Sequence, residues 1–178
     1  SAGGSGERAD DRAEPNPTGR QRRASRVRTP QSKQGETDDM LSDEAKEKLL
    51  TIARETVEAV VKDQNPPSDP VEHPELQGQQ GAFVTLKTNG RLRGCIGRFI
   101  SDEPLWKTVR AVAVDSATRD PRFWHNRLRP AELKNLEIEI SVLSPLAKTE
   151  DPTSIELGTH GIYVRRGGRP GCSLPQLA

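Results

Sequence analysis

An α/β domain of the α+β kind, with a mainly antiparallel sheet and flanking helices, is predicted by three patterns in this chain. Asn89-Gly90 stands between two strand-like runs, and this dipeptide suits a two-residue hairpin turn. Leu136 to Leu143 alternates Leu136, Ile138, Ile140 and Val142 with Glu137, Glu139 and Ser141, the period of a strand buried on one face. Before the hairpin, Leu49, Ala53, Val57 and Val60, with Leu50, Ile52 and Val61 beside them, form a stripe at helical spacing.

In chain order, residues 1–39 read as a disordered tail. Their only apolar residues are Ala2, Ala9, Ala13, Ala24 and Val27, too few to offset the entropy of ordering. The domain is expected over residues 40–178. Ser42 is a good N-cap for the first helix, with Asp43 and Glu44 placed where the helix dipole favours negative charge. Asn65 to Gln80, with four prolines, is a loop. In the hairpin "AFVTLKTNGRLRGCIG", a turn confined to Asn89-Gly90 pairs Thr88 with Arg91, Leu86 with Arg93 and Val84 with Cys95. One face then carries Val84, Leu86, Arg93 and Cys95. A second helix follows, with Ser101 and Asp102 as caps, Pro104 in its first turn, and Leu105, Val109, Val112, Ala113 and Ser116 inside. After a turn-rich connection and the alternating strand, "GIYVRRGGRPGCSL" reads as a hairpin turning at Gly167-Gly168.

Charge narrows the classes of function. The tail holds eight basic and seven acidic residues, so its island "RQRRASRVR" is not part of a uniformly basic arm; residues 40–178 balance nineteen against nineteen. With six aromatic residues in the chain, a base-stacking surface is disfavoured, and nucleic acid with it. No apolar run reaches the roughly 18 residues of a membrane span. Cys95 and Cys172 have neither metal spacing nor a disulfide framework, so a reducing, cytoplasmic setting is expected. The HxxxH, HExxH and CxxC patterns are absent, and no metal or cofactor is predicted. Because the chain begins at Ser1, it is expected to be a fragment or processed product, with Met40 a candidate natural start.

The chemistry concentrates in "LRGCIG", Leu92 to Gly97. Arg93 and Cys95, two apart on a strand, share a face, and an arginine near a thiol favours the thiolate. Gly94 and Gly97 leave room for a substrate to reach the sulfur and the backbone N–H groups. Cys95 is thus a candidate nucleophile, Arg93 a candidate anion contact, and Gly94 and Gly97 part of the substrate site. The competing readings are that Cys95 is a small buried hydrophobe against Val84, and that Arg93 forms a structural ion pair with Asp120 or Glu139. Of His73, His125 and His160, His160 is the preferred base, because it precedes a strand and neighbours Gly161. Asp120 either ends the second helix by bonding its own backbone or orients Arg93 or a substrate group. Arg165, in "RRGGR", is a candidate phosphate contact.

Four ordered segments, "GAFVTLKTNGRLRGCIG", "DSATRDPRF", "LEIEISVLSP" and "HGIYVRRGGRPG...LPQLA", resemble the AMMECR domain, also called AmmeMemoRadiSam system protein A. The family's hallmark six residues match Leu92 to Gly97 without substitution. The resemblance implies one intracellular α/β domain with a smaller sub-domain, whose biochemical activity is unsettled. It also implies a pathway shared with a Memo-like protein and a radical S-adenosylmethionine enzyme as partners. Family members usually continue past "LPQ" into a further helix, so this chain, ending at Ala178, is expected to be truncated and to expose apolar surface. In "GCSLPQ" the family more often has an aliphatic run, which sets Cys172 and Ser173 aside as functional residues. A small anionic metabolite is the expected ligand; a non-catalytic scaffold for the Memo-like partner is one alternative, and nucleic-acid binding through the arginines is the other.

Overall fold

The computed structural model describes residues 25–28, 41–146, 148–155, 161–167 and 169–173. Its first helix, α1 (Asp43–Val61), is capped as its sequence dictates: the Ser42 hydroxyl accepts from the Ala45 N–H at 3.2 Å. Glu75, from a 3-10 turn at Pro74–Leu76, secures that cap by accepting from both the Ser42 N–H and its hydroxyl. The apolar stripe faces inward, with Ala45, Leu49, Ile52, Ala53 and Val57 buried.

Strands β2 (Ala82–Thr88) and β3 (Arg91–Arg98) form the expected hairpin. Asn89 and Gly90 both have positive φ, 50° and 75°, the signature of a type I′ turn and the reason glycine suits the second position. Thr88 pairs with Arg91 as expected, but the register shifts between Leu86 and Lys87. Lys87 lies opposite Leu92 and Leu86 opposite Gly94, so Arg93 is an extra residue, and Cys95 faces Thr85 rather than Val84. The face expected to combine Val84, Leu86, Arg93 and Cys95 therefore does not exist. A one-residue bulge moves every later β3 side chain to the opposite face.

Helix α2 (Leu105–Thr118) buries Leu105, Val109, Val112, Ala113 and Ser116 as its pattern requires. Its N-cap is Pro104 rather than Ser101 or Asp102. Ser101 instead bonds the Thr108 hydroxyl at 2.7 Å and accepts from the Glu103 N–H, drawing the preceding loop onto the first turn of the helix.

Strand β4 (Leu136–Val142) lies beside β2, antiparallel, with Thr85 opposite Glu139. Its even-numbered residues join the core between sheet and helices. Its other face is also covered, since Glu139 and Ser141 are buried. Part of the cover is β1 (Arg26–Arg28), which pairs parallel with β4 in the order β1-β4-β2-β3. Within the stretch 1–39 read as a disordered tail, Arg26–Arg28 thus form a strand; the rest of that stretch beyond Ser25, like residues 174–178 at the other end, lies outside the described residues. Composition averaged over 39 residues hides a three-residue alternation. Val27 packs against the core beside Ile140, while Arg26 and Arg28 turn to the other face and bind Glu139.

Strands β5 (Ile162–Arg166) and β6 (Arg169–Ser173) form a separate antiparallel hairpin, with Gly167 at φ 55° in its turn. Phe99, at the end of β3, links the two sheets through rings 5.0 Å from Phe83 and 4.8 Å from Tyr163. Among the described residues, no helix is long and apolar enough to cross a membrane.

Candidate functional site

One rung runs across the whole sheet on the face turned away from the helices: Arg26 on β1, Glu139 on β4, Thr85 on β2 and Cys95 on β3. The Cys95 thiol, half-buried, lies 3.1 Å from the Thr85 hydroxyl. At the other end, Glu139 receives Arg26 at 2.9 Å, Arg28 at 2.5 Å and Lys87 at 3.7 Å. Burial pushes the Glu139 carboxyl up, but the hydrogen bonds and charges of Arg26 and Arg28 outweigh it and leave the group below its ordinary value.

The two glycines of the hexapeptide have packing reasons. A Cβ on Gly94 would overlap the Ser116 carbonyl oxygen, because α2 crosses β3 at that point. A Cβ on Gly97 would overlap the Phe83 ring and crowd the Ala82 carbonyl. Ser116 strengthens the crossing: its hydroxyl accepts from the Ile96 N–H at 2.9 Å and donates to the Val84 carbonyl at 2.8 Å, and those two residues are partners in the hairpin. The space that a side chain on Gly94 would take is thus filled by helix backbone.

Arg93 is not beside Cys95. It is buried, and its guanidinium donates to the Arg127 carbonyl at 3.0 Å and to Glu132 at 3.1 Å. Its ion-pair partner is therefore Glu132, not Asp120 or Glu139. For Glu132 burial is again the largest influence and pushes the carboxyl up; the Arg129 N–H together with Arg93 and Arg129 more than reverses it.

Asp120 bonds its own backbone two residues on, the first of the two readings, and it is not a partner of Arg93. It is 3% exposed and caps the 3-10 turn Pro121–Phe123 by accepting from the Arg122 N–H at 3.1 Å. Its carboxylate also accepts from the Cys95 N–H at 2.9 Å and from the Arg122 guanidinium at 2.7 and 2.9 Å. Hydrogen bonding to Arg122 holds the Asp120 carboxyl below its ordinary value, with the Cys95 N–H adding to the effect against burial. Arg122 in turn donates to the Cys95 carbonyl at 3.1 Å. The arginine that serves Cys95 comes from the segment after α2, not from its own strand. No periodicity announces this; the only hint is Asp120-Pro121-Arg122, a short arc that returns an acid and a base toward one point.

His160 and the side chain of Arg165 lie outside the described residues. His125 is exposed in the turn after Phe123. His73 lines a cleft of about 400 Å³ with Pro70, Val71 and Trp106, none of them on the Cys95 rung. Among the described residues, no group of three or more His, Cys, Asp or Glu is placed to hold a metal ion.

These carboxylates give the domain an acid limit. Asp120, Glu132 and Glu139 have folded values below their ordinary 3.8, 4.5 and 4.5, so the unfolded chain binds more protons as pH falls. Their stabilisation is complete above the unfolded values and is lost as pH drops through the folded ones. The urea midpoint is expected to be level between pH 7 and about pH 5 and to decline steadily to pH 3. A midpoint unchanged at pH 3 would contradict these ion-pair assignments.

A family model described as AMMECR1 matches residues 50–178, so β1 lies outside the matched region. A protein of Methanococcoides burtonii is 37% identical over 145 residues, covering 78% of this chain and 71% of that protein. Protein MK0488 of Methanopyrus kandleri is 38% identical over 152 residues, covering 78% and 70%. Among solved structures, uncharacterized protein PH0010 from Pyrococcus horikoshii superposes with a TM-score of 0.69 at 35% identity, over 78% of this chain and 72% of that one.

Proposed function

The chain belongs to the AMMECR1 family, and from that premise we propose that it binds a small anionic metabolite on the sheet face around Cys95, with the thiol as nucleophile or covalent handle. The observation that carries this reading is the charge along the rung. Three cations, Arg26, Arg28 and Lys87, converge on the single carboxylate of Glu139, leaving a surplus of positive charge across Thr85 from a half-buried thiol. A carboxylate or phosphate would be drawn to that surplus, since Arg26 and Arg28 keep roughly two-fifths of their side-chain surface open. Thr85 would orient the sulfur, and Asp120 with Arg122 would hold the Cys95 backbone on both its N–H and carbonyl sides.

Alkylation of the full chain by iodoacetamide near neutral pH, read by peptide mass spectrometry, tests the reading. Cys95 is expected to react, and phosphate- or carboxylate-bearing metabolites are expected to slow that reaction where neutral analogues do not. Arg26→Gln with Arg28→Gln should weaken the protection by about tenfold, the effect of removing two partly exposed charge contacts. A thiol inert in the folded chain, or equal protection by neutral compounds, would sink the proposal and favour a scaffold without chemistry at Cys95.

A further inference from the structure

We propose that Ser25 is a phosphorylation site, and that a phosphate there locks β1 onto the edge of the sheet. The inference does not rest on the reading of Cys95. Its first support is the part of the basic island that the charge balance left unexplained: Arg22-Arg23-Ala24-Ser25 places arginines three and two residues before a serine. Protein kinases with an acidic substrate cleft select serines by basic residues at those positions, a specificity of charge pattern.

The second support is independent and lies in the fold. The Ser25 oxygen accepts from the Ile138 N–H of β4 at 3.0 Å and from Arg54 of α1 at 3.3 Å. Arg54 also donates to the Leu136 carbonyl at 3.0 Å, which anchors its guanidinium over the start of β4. Two donors thus converge on the hydroxyl oxygen, and one of them is a guanidinium, which would make charge-assisted hydrogen bonds to a phosphate at this position. Glu58, 3.7 Å from Arg54, is the one carboxylate paired with that guanidinium among the described residues, and its side chain is more than a third exposed.

In the reaction the Ser25 oxygen attacks the γ-phosphorus of ATP, the bond to the β-phosphate oxygen breaks, ADP leaves, and the hydroxyl proton passes to the kinase's base. The product carries a charge of roughly −1.5 to −2 and three further acceptor oxygens. Arg54 and the Ile138 N–H then bind phosphate oxygens in place of the hydroxyl. Ser25 directly precedes Arg26, so fixing it also holds Arg26 and Arg28 against Glu139.

The full chain, incubated with magnesium-ATP and a serine kinase selective for arginines at those two positions, should take up phosphate at Ser25, located by mass spectrometry and lost in Ser25→Ala. Amide hydrogen exchange over Arg26–Arg28 should then slow by about tenfold in the phosphoprotein. Arg54→Gln should leave phosphate uptake intact and abolish the slowing. Three results would overturn the proposal: no phosphate at Ser25 while a control peptide is modified, exchange that is unchanged or faster after modification, or slowing that survives in Arg54→Gln.

Discussion

Gly94→Ala is expected to destabilise the domain by about 3 kcal/mol or to prevent folding, among the largest effects of any single methyl group here. The added carbon would meet the carbonyl oxygen of Ser116, which is helix backbone and cannot rotate aside. Relief requires α2 to move off β3, and that would break the Ser116 bridge to Ile96 and Val84. Gly90→Ala is the control. Nothing lies within 4 Å of its added carbon, and its φ of 75° limits the cost to about 1 to 2 kcal/mol of backbone strain. Urea denaturation should therefore rank Gly94→Ala well below Gly90→Ala. Ser116→Ala should not rescue Gly94→Ala, because the obstruction is main chain. A Gly94→Ala protein within about 0.5 kcal/mol of wild type would refute the close crossing.

Asp120→Ala should cost about 3 kcal/mol, the loss expected when a buried carboxylate leaves charged and backbone donors without an acceptor. The Cys95 N–H, the Arg122 N–H and the Arg122 guanidinium all depend on it. Asp120→Asn keeps one acceptor oxygen and removes the charge, so it should recover roughly half of that loss. The two variants separate hydrogen bonding from charge in a way that urea melts at pH 7 can read. The wild-type advantage over Asp120→Asn should also shrink as pH falls below the ordinary carboxylate range, since protonated Asp120 loses its preference for Arg122. Equal stability of all three proteins at pH 7 would show that Asp120 does not hold the β3 edge.

Much of the fold was legible because it is written in local periodicity. The Asn89-Gly90 turn, the α1 cap at Ser42, the inner faces of both helices and the alternation in β4 each follow from a few neighbouring residues. The site was less legible, since its geometry hangs on one bulge. Counting outward from Asn89-Gly90 leads to Arg93 and Cys95 on a shared face with Val84. The extra residue instead sends Cys95 to Thr85 and leaves Arg93 with Glu132, 39 positions away. Strand β1 escaped for the opposite reason: its three residues make sense only beside Glu139, 113 positions from Arg26.

The chain's own order of residues determined the class of fold, the places where helices and hairpins begin and end, and the family to which "LRGCIG" points. Those features depend on side-chain period, capping and turn chemistry, all settled within a few residues. Tertiary structure alone decided why that hexapeptide holds glycine at Gly94 and Gly97, which arginine serves Cys95, and which charges gather around Glu139. These are contacts between segments far apart in sequence, governed by the distance at which α2 crosses β3 and by a one-residue shift in strand register, and neither leaves a period to be read.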